Sequence, residues 1–380
     1  MYLRKRIFSI LAGILAICAS LPFVGMKAEV KGEEKMTPID IYLIGGQSNA
    51  VGASVTHGQF SETFANVGYA GETERNRTTG STSSYFMTYK TFQWGVTQGL
   101  GFNRECIGPE YGIAKYVNNI YGGKRKAFIF KSAGGGTSLR NIAHAYGNWL
   151  PPSKWPTDYQ ADGTDSMGYQ YQMFLNNFQS VYTALTENGY QPNVMGMAWM
   201  QGEADLMFAA QYKPLLKLLI EDLREDIFKI TGAEKDKKMP FVIGEIAYIL
   251  SPDSKPVVRA FNNMQREVAE EMENAYTVKT SDLPLYDENG VLYGDGSHFR
   301  ASDMEILGLR FGEKLAKSRV EEYYAELEQE KNGDKEEQGG CGGVVATGVS
   351  AVTIGFATML AAKKTDGTDR AQSRAKKEKR

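Results

Sequence analysis

Apolar residues follow two alternating rhythms along this chain. Short, nearly unbroken apolar runs occur at Ile41–Ile44, Ala127–Lys131, Val194–Met200, Phe241–Ile246 and Tyr276–Lys279. A strand buried on both faces reads as such a run. Between the runs the apolar positions take helical spacing. Gly112–Ile120 reads as a helix. Leu215–Ile230 sets Leu215, Leu216, Leu219, Leu223 and Ile227 on one stripe, with Pro214 in the first turn. Val257–Met272 sets Val257, Phe261, Met264 and Val268 on one face. Ser302–Leu315 is a last helix, with Ser302 and Glu305 as a capping box. Strands alternating with helices predict a parallel sheet covered on both faces, in one α/β domain over residues 36–318.

Two stretches break the rhythm. Gly58–Gly101 is rich in Gly, Ser, Thr and Tyr, and Tyr146–Gly168 carries Pro and Trp. Loops that long are usually functional or disordered. Both follow strands that end in glycines, so they are expected to rim one end of the sheet.

The ends read differently from the body. Arg4–Arg6, the apolar run Ile7–Val24 and Ala28 have the layout of a secretory signal over residues 1–28, cut after Ala28 or near Ala19. Bulky Ile17 argues against lipidation at Cys18. After a charged and glycine-rich linker, 319–343, the run Val344–Ala362 is uncharged and long enough to cross a hydrocarbon core of about 30 Å. The basic tail 363–380 stays cytoplasmic by the positive-inside rule. The expectation is an exported body held at the cell surface by a C-terminal transmembrane helix. Gly339–Gly343 around Cys341 resembles sorting tails in which a cysteine marks a processing site, so release is the alternative.

Composition narrows the chemistry. The sequence is 42% hydrophobic and 23% charged, as globular chains are, and its net charge of −2 gives no field favouring nucleic acid or anionic membrane. Three cysteines make no disulfide framework, and Cys106 reads as a small buried hydrophobe. The three histidines, His57, His144 and His298, exclude a zinc site built on several imidazoles, and no CxxC pair is present.

Polar motifs sit after the strands and before the last helix: Gly46-Gln47-Ser48-Asn49, Gly134-Gly135-Gly136-Thr137-Ser138, Gln201-Gly202-Glu203-Ala204-Asp205 and Asp295-Gly296-Ser297-His298. In open α/β sheets ligands bind at the carboxyl ends of strands. On its own stretch Ser48 is either a helix cap or a nucleophile. A nucleophilic serine needs a base and a carboxylate to orient it. Asp295 and His298, three apart in a glycine-containing loop, can supply both. His57 and His144 have no acidic residue close by in sequence. Glu203 is the alternative acid, or a buried hub. The Ser48 N–H, a glycine N–H from Gly134–Gly136 and the Gln201 side chain can supply an oxyanion hole. Glu110 either touches substrate or is an ordinary acid at the start of the helix from Tyr111. Trp94, Trp149 and Trp155 stack on sugars or pin loops, and Arg140 could meet a charged sugar.

Those blocks, together with Gly108-Pro109-Glu110 and Trp199-Met200, resemble in their order the sialate O-acetylesterase and acetylxylan esterase family, a branch of the SGNH hydrolases. The resemblance covers residues 38–316. It implies a three-layer α/β/α flavodoxin-like fold and a serine esterase that removes acetyl groups from carbohydrates with no metal or other cofactor. Carried over by position, Ser48 is the nucleophile, His298 the base and Asp295 its partner. The oxyanion hole is then Ser48, Gly135 and Gln201, and Gln47, Asn49 and Glu203 support the site. The implied partner is an acetylated sugar, xylan-type or sialic acid.

Overall fold

A computed structural model describes residues 36–55, 60–71, 93–102, 105–159, 167–247 and 255–316. His57, the signal-like segment 1–28 and the uncharged run 344–362 lie outside the described residues. Seven strands form one sheet: β1 Thr37–Gly46, β2 Phe64–Gly71, β3 Gln93–Val96, β4 Lys126–Lys131, β5 Tyr190–Met200, β6 Phe241–Gly244 and β7 Ala275–Val278. Their spatial order is β3-β2-β4-β1-β5-β6-β7, and only the β2–β3 pair is antiparallel. Without β2 and β3 the order is β4-β1-β5-β6-β7, which in chain order is 2-1-3-4-5, the flavodoxin-like arrangement. All five expected strands form. The correction falls on Gly58–Gly101, read as a loop, which instead extends the sheet by β2 and β3. Glycines at 68 and 71 of β2 had masked its strand character.

The helices are α1 Ser48–Val51, α2 Pro109–Tyr121, α3 Tyr169–Glu187, α4 Ala209–Thr231, α5 Lys255–Glu271 and α6, residues 301–316. On one face, Tyr171, Phe174 and Phe178 of α3, Leu216 and Leu219 of α4, and Phe261 and Val268 of α5 share a core with Ile41, Phe128 and Trp199. Burying each such ring contributes about 1.5–3 kcal/mol. On the other face α2 and α6 cross closely. A Cβ on Gly112 would lie 2.1 Å from Glu305 O, and one on Gly308 2.3 Å from Pro109 O. Phe311 and Leu315 of α6 meet Gly244 and Gly196 of the sheet. The result is the three-layer α/β/α architecture.

Three local readings need correction. Helix α3 falls where none was expected, although Tyr171, Phe174, Phe178, Val181 and Leu185 keep helical spacing. Pro214 lies inside α4 and not in its first turn, because the 3-10 turn Glu203–Phe208 leads into a helix that starts at Ala209. Ser302 and Glu305 make no capping box, since the helix begins one residue earlier and Glu305 accepts from Lys115 at 2.8 Å.

The parallel strands end on one side of the sheet. The order reverses between β1 and β5, and such a switch point is where a cleft opens beyond the strand ends. Ser48 follows β1 and Gln201 follows β5.

Candidate active site

Gly46 ends β1 with φ +134, and a Cβ there would lie 2.1 Å from Met200 O. Only glycine takes that turn. Gln47 N–H donates to Met200 O at 2.9 Å, and the Gln47 Oε1 accepts from Gly202 N at 3.3 Å and Ala204 N at 3.2 Å. The chain then enters α1 with Ser48 half-buried at its first residue. The last carbonyl of α1, Val51 O, accepts from Lys131 Nζ at 2.9 Å. Lys131 also donates to Leu100 O at 2.7 Å and to Glu110 Oε2 at 2.8 Å, and both charged side chains are buried. Glu110 does accept from an N–H at the start of α2, Gly108 N at 2.7 Å, but its other oxygen anchors this lysine.

His298 stands on the loop before α6. Its Nδ1 pairs with Asp295 Oδ2 at 2.5 Å, and Asp295 Oδ1 accepts from the N–H groups of Ser297 and His298 at 2.9 and 3.0 Å. Partial burial opposes ionisation of Asp295, but these N–H groups and the His298 ring hold its carboxyl below the usual range. Two links bring this loop to Ser48. Val55 N–H donates to Phe299 O at 2.9 Å, and Val55 O accepts from Ala301 N at 3.1 Å. Asn49, next to Ser48, donates to Ser297 O at 3.1 Å and to Glu203 Oε1 at 2.7 Å.

The loop after β4 closes the third side. A Cβ on Gly135 would lie 3.9 Å from Ser48 Cβ and 4.0 Å from the Tyr146 ring. Among the described residues the N–H groups of Ser48 and Gly135 have no acceptor. Trp149, fully buried, braces this loop through Nε1 to Gly46 O at 3.2 Å and Thr137 Oγ1 at 3.0 Å. Gln201 sits beneath it. Its Nε2 donates to Thr137 O at 3.0 Å and Asp205 Oδ2 at 2.7 Å, while its buried Oε1 has no partner among the described residues. A primary amide has two protons, so both are committed. This arrangement does not offer the Gln201 side chain as the oxyanion donor expected from its position. Asp205 in turn accepts from Ser138 Oγ, Leu139 N and Arg140 Nε at 2.5, 3.0 and 2.9 Å.

Several expected roles resolve into packing. Arg140 is spent on Asp205 and stacks on Phe208 at 3.5 Å. Trp155 bonds Leu150 O, and Trp94 packs on Phe128 and Tyr190. Cys106 is buried. His144 lies beside Gly136, its Nδ1 accepting from Tyr146 N at 3.2 Å, and among the described residues no carboxylate pairs with it. Burial raises the Glu203 carboxyl, against the pull of its backbone N–H, Asn49 and His298, and its Oε2 is sealed from solvent with no partner among the described residues. Asp205, Lys131 and Tyr146 were given no role from sequence. Asp205 alone carried a signal, as the last residue of the block that begins at Trp199. Among the described residues no group of three His, Cys, Asp or Glu side chains is placed to hold a metal ion.

Residues 38–317 match the family model described as carbohydrate esterase, sialic acid-specific acetylesterase. No curated protein matches the sequence. Solved structures similar to it include an Arabidopsis thaliana protein, at 14% identity and TM-score 0.48 over 73% of this chain and 98% of that one. NanS is similar at 16% identity and TM-score 0.49, over 76% and 99%. A carbohydrate acetylesterase from Xanthomonas citri is similar at 15% identity and TM-score 0.42, over 74% and 56%.

Proposed function

Because the chain belongs to the family of carbohydrate esterases described as sialic acid-specific acetylesterases, we propose that it removes O-acetyl groups from a sugar through an acetyl-Ser48 intermediate. The observation that carries this reading is the pairing of Asp295 with His298 on a loop that Val55 and Asn49 tie to the Ser48 turn. Ser48 Oγ attacks the acetyl carbonyl while His298 Nε2 takes its proton, and Asp295 holds the ring and stabilises the imidazolium. The oxyanion accepts from the N–H groups of Ser48 and Gly135, which have no acceptor among the described residues. Collapse breaks the ester C–O bond, and His298 returns the proton to the leaving sugar oxygen. Water, deprotonated by His298, then attacks the acetyl-serine; the Oγ–acetyl bond breaks, His298 returns the proton to Ser48 Oγ, and acetate leaves. Gln201 positions the Gly134–Thr137 loop and is not itself a donor in this scheme.

Ser48→Ala should lower release of 4-nitrophenol from its acetate ester by at least about 10³-fold with the fold intact. Activity near that of the unaltered protein would overturn the assignment. Acetate release from acetylated xylan, acetylated sialic acid and acetylated peptidoglycan identifies the substrate. The absence of release from all of them would favour a sugar-binding surface protein of the same fold.

Export and anchorage belong to the same reading. They rest on the pattern of residues 1–28 and 344–362. Among the described residues no helix is long and apolar enough to cross a membrane. Fractionation of the full chain beside a chain ending at Ser318 tests whether the tail holds it to membranes.

A further inference from the structure

Beyond β6 and β7, at the same sheet end as Ser48, a cleft of about 540 Å³ opens between α5 and the stretch 280–286. Its charges are unequal. Glu245 is buried and already matched by Arg266, through Nε at 2.8 Å and Nη2 at 3.0 Å. Lys255 and Arg259, one helical turn apart on the exposed side of α5, also line the cleft, and among the described residues neither has a carboxylate partner. Elsewhere along α5, Glu267 and Glu271 are neutralised by Lys213 and Lys217, and Glu270 is not part of the cleft lining. The two cations of α5 without carboxylate partners among the described residues therefore both line the cleft.

The remaining lining suits a sugar. Tyr286 presents its ring to Lys255, whose Nζ lies 4.9 Å from the ring centroid. Thr280 and Ser281 add hydroxyls, and Leu283 and Leu285 are buried beneath. An aromatic ring beside hydroxyls and cations that lack carboxylate partners suits a sugar ring that carries an anion. The cleft is also joined to the proposed centre. Ile246, in its wall, would be 3.0 Å from a Cβ on Gly202, the neighbour of Gln201 and Glu203. Leu285 O accepts from Tyr293 N at 2.9 Å, two residues before Asp295.

We propose that this cleft is a subsite for an anionic sugar residue, held by Lys255 and Arg259 with Tyr286 as its platform, on the glycan whose acetyl ester meets Ser48. The subsite as part of a substrate path rests on the acetylesterase reading, but binding of the anionic sugar does not. The test uses the full chain and the double variant Lys255→Gln, Arg259→Gln. Glucuronate and glucose 6-phosphate, titrated by calorimetry, should each or singly bind the unaltered protein and bind the double variant at least about tenfold more weakly. Which of the two binds identifies the anion. Salt should weaken the binding. Failure of both to bind, or equal binding to the two proteins, overturns the subsite whatever the activity. In turnover, kcat/KM on acetylated glucuronoxylan should fall about tenfold in the variant. That on 4-nitrophenyl acetate and on acetylated neutral xylan should change less than about twofold. An equal fall on all three overturns the proposal. An unaltered protein that binds glucuronate yet hydrolyses no acetyl ester overturns the esterase reading and spares the subsite.

Discussion

Asn49 Nδ2 donates to Ser297 O at 3.1 Å, so the residue after Ser48 holds the residue before His298. The same amide donates to Glu203 Oε1 at 2.7 Å, which fixes its rotamer. Three segments far apart in sequence thus meet at one side chain. Asn49→Ala should lower kcat on 4-nitrophenyl acetate by about 10–10²-fold with a smaller change in KM, because misplacement by about 1 Å suffices for such a loss. Unchanged kcat would show that the Val55 bridge alone sets the spacing.

Glu203 and Asp295 give opposite pH signatures. Burial raises the Glu203 carboxyl above the usual 4.5, so folding is favoured by its protonated form. That contribution is full below 4.5 and is lost as pH rises through the raised value. Asp295 is held below the usual 3.8, so its contribution is present above 3.8 and is lost as pH falls through the lowered value. Glu203→Gln keeps an acceptor for Asn49 and removes the first loss. Urea unfolding from about pH 4 to about pH 8 should show the variant gaining on the unaltered protein as pH rises, then levelling off. A constant difference would mean that Glu203 does not titrate in that window.

Lys131 and Glu110 form a buried pair with further partners on both sides. Removing one partner of such a pair costs about 3–5 kcal/mol. Lys131→Met should do so and should also strand Val51 O and Leu100 O. Glu110→Gln leaves the lysine two acceptors and should cost less. The double variant should be less destabilised than the sum, as denaturant midpoints would show. Strict additivity would mean that the two side chains are not coupled.

Much of this fold was legible. Strands buried on both faces must be apolar throughout, so Ile41–Ile44, Ala127–Lys131 and Phe241–Ile246 marked the sheet. Polar residues after them marked the end of the sheet where the candidate site is placed. What was not legible depends on contacts distant in sequence. Lys131 looks like the surface end of a strand, and only Glu110 and two carbonyls from other segments make it a buried cap. Helix α3 kept its apolar spacing, yet Gln170 and Asn177, both buried, blurred it. The orientation of Gln201 could not be read from its position, because Asp205, one turn on, takes a proton that an oxyanion would need.

Two glycines near Ser48 should respond differently to alanine. At Gly46 a Cβ would meet Met200 O at 2.1 Å on a backbone that L-residues avoid, so Gly46→Ala should fold poorly. At Gly135 the contacts are ordinary, 3.9 Å to Ser48 Cβ and 4.0 Å to Tyr146. Gly135→Ala should keep the melting temperature within a few degrees and lose activity, since its methyl occupies the gap beside Ser48. Full activity would place the acetyl group on another side of Ser48.

Gln201 separates a brace from an oxyanion donor. Loss of an oxyanion donor lowers kcat by about 10²–10³ and need not alter stability. Loss of a buried brace leaves its partners unsatisfied and costs about 1–3 kcal/mol in stability. Both Gln201 protons are bound to Thr137 O and Asp205 Oδ2, so Gln201→Ala should destabilise the protein, and kcat should fall only as the Gly134–Thr137 loop loosens. Gln201→Glu should be worse, because it sets a second buried carboxylate against Asp205. Denaturant unfolding beside turnover of 4-nitrophenyl acetate decides it. A variant as stable as the unaltered protein but slower by about 10³ would return Gln201 to the oxyanion hole and require its amide to change partners during turnover.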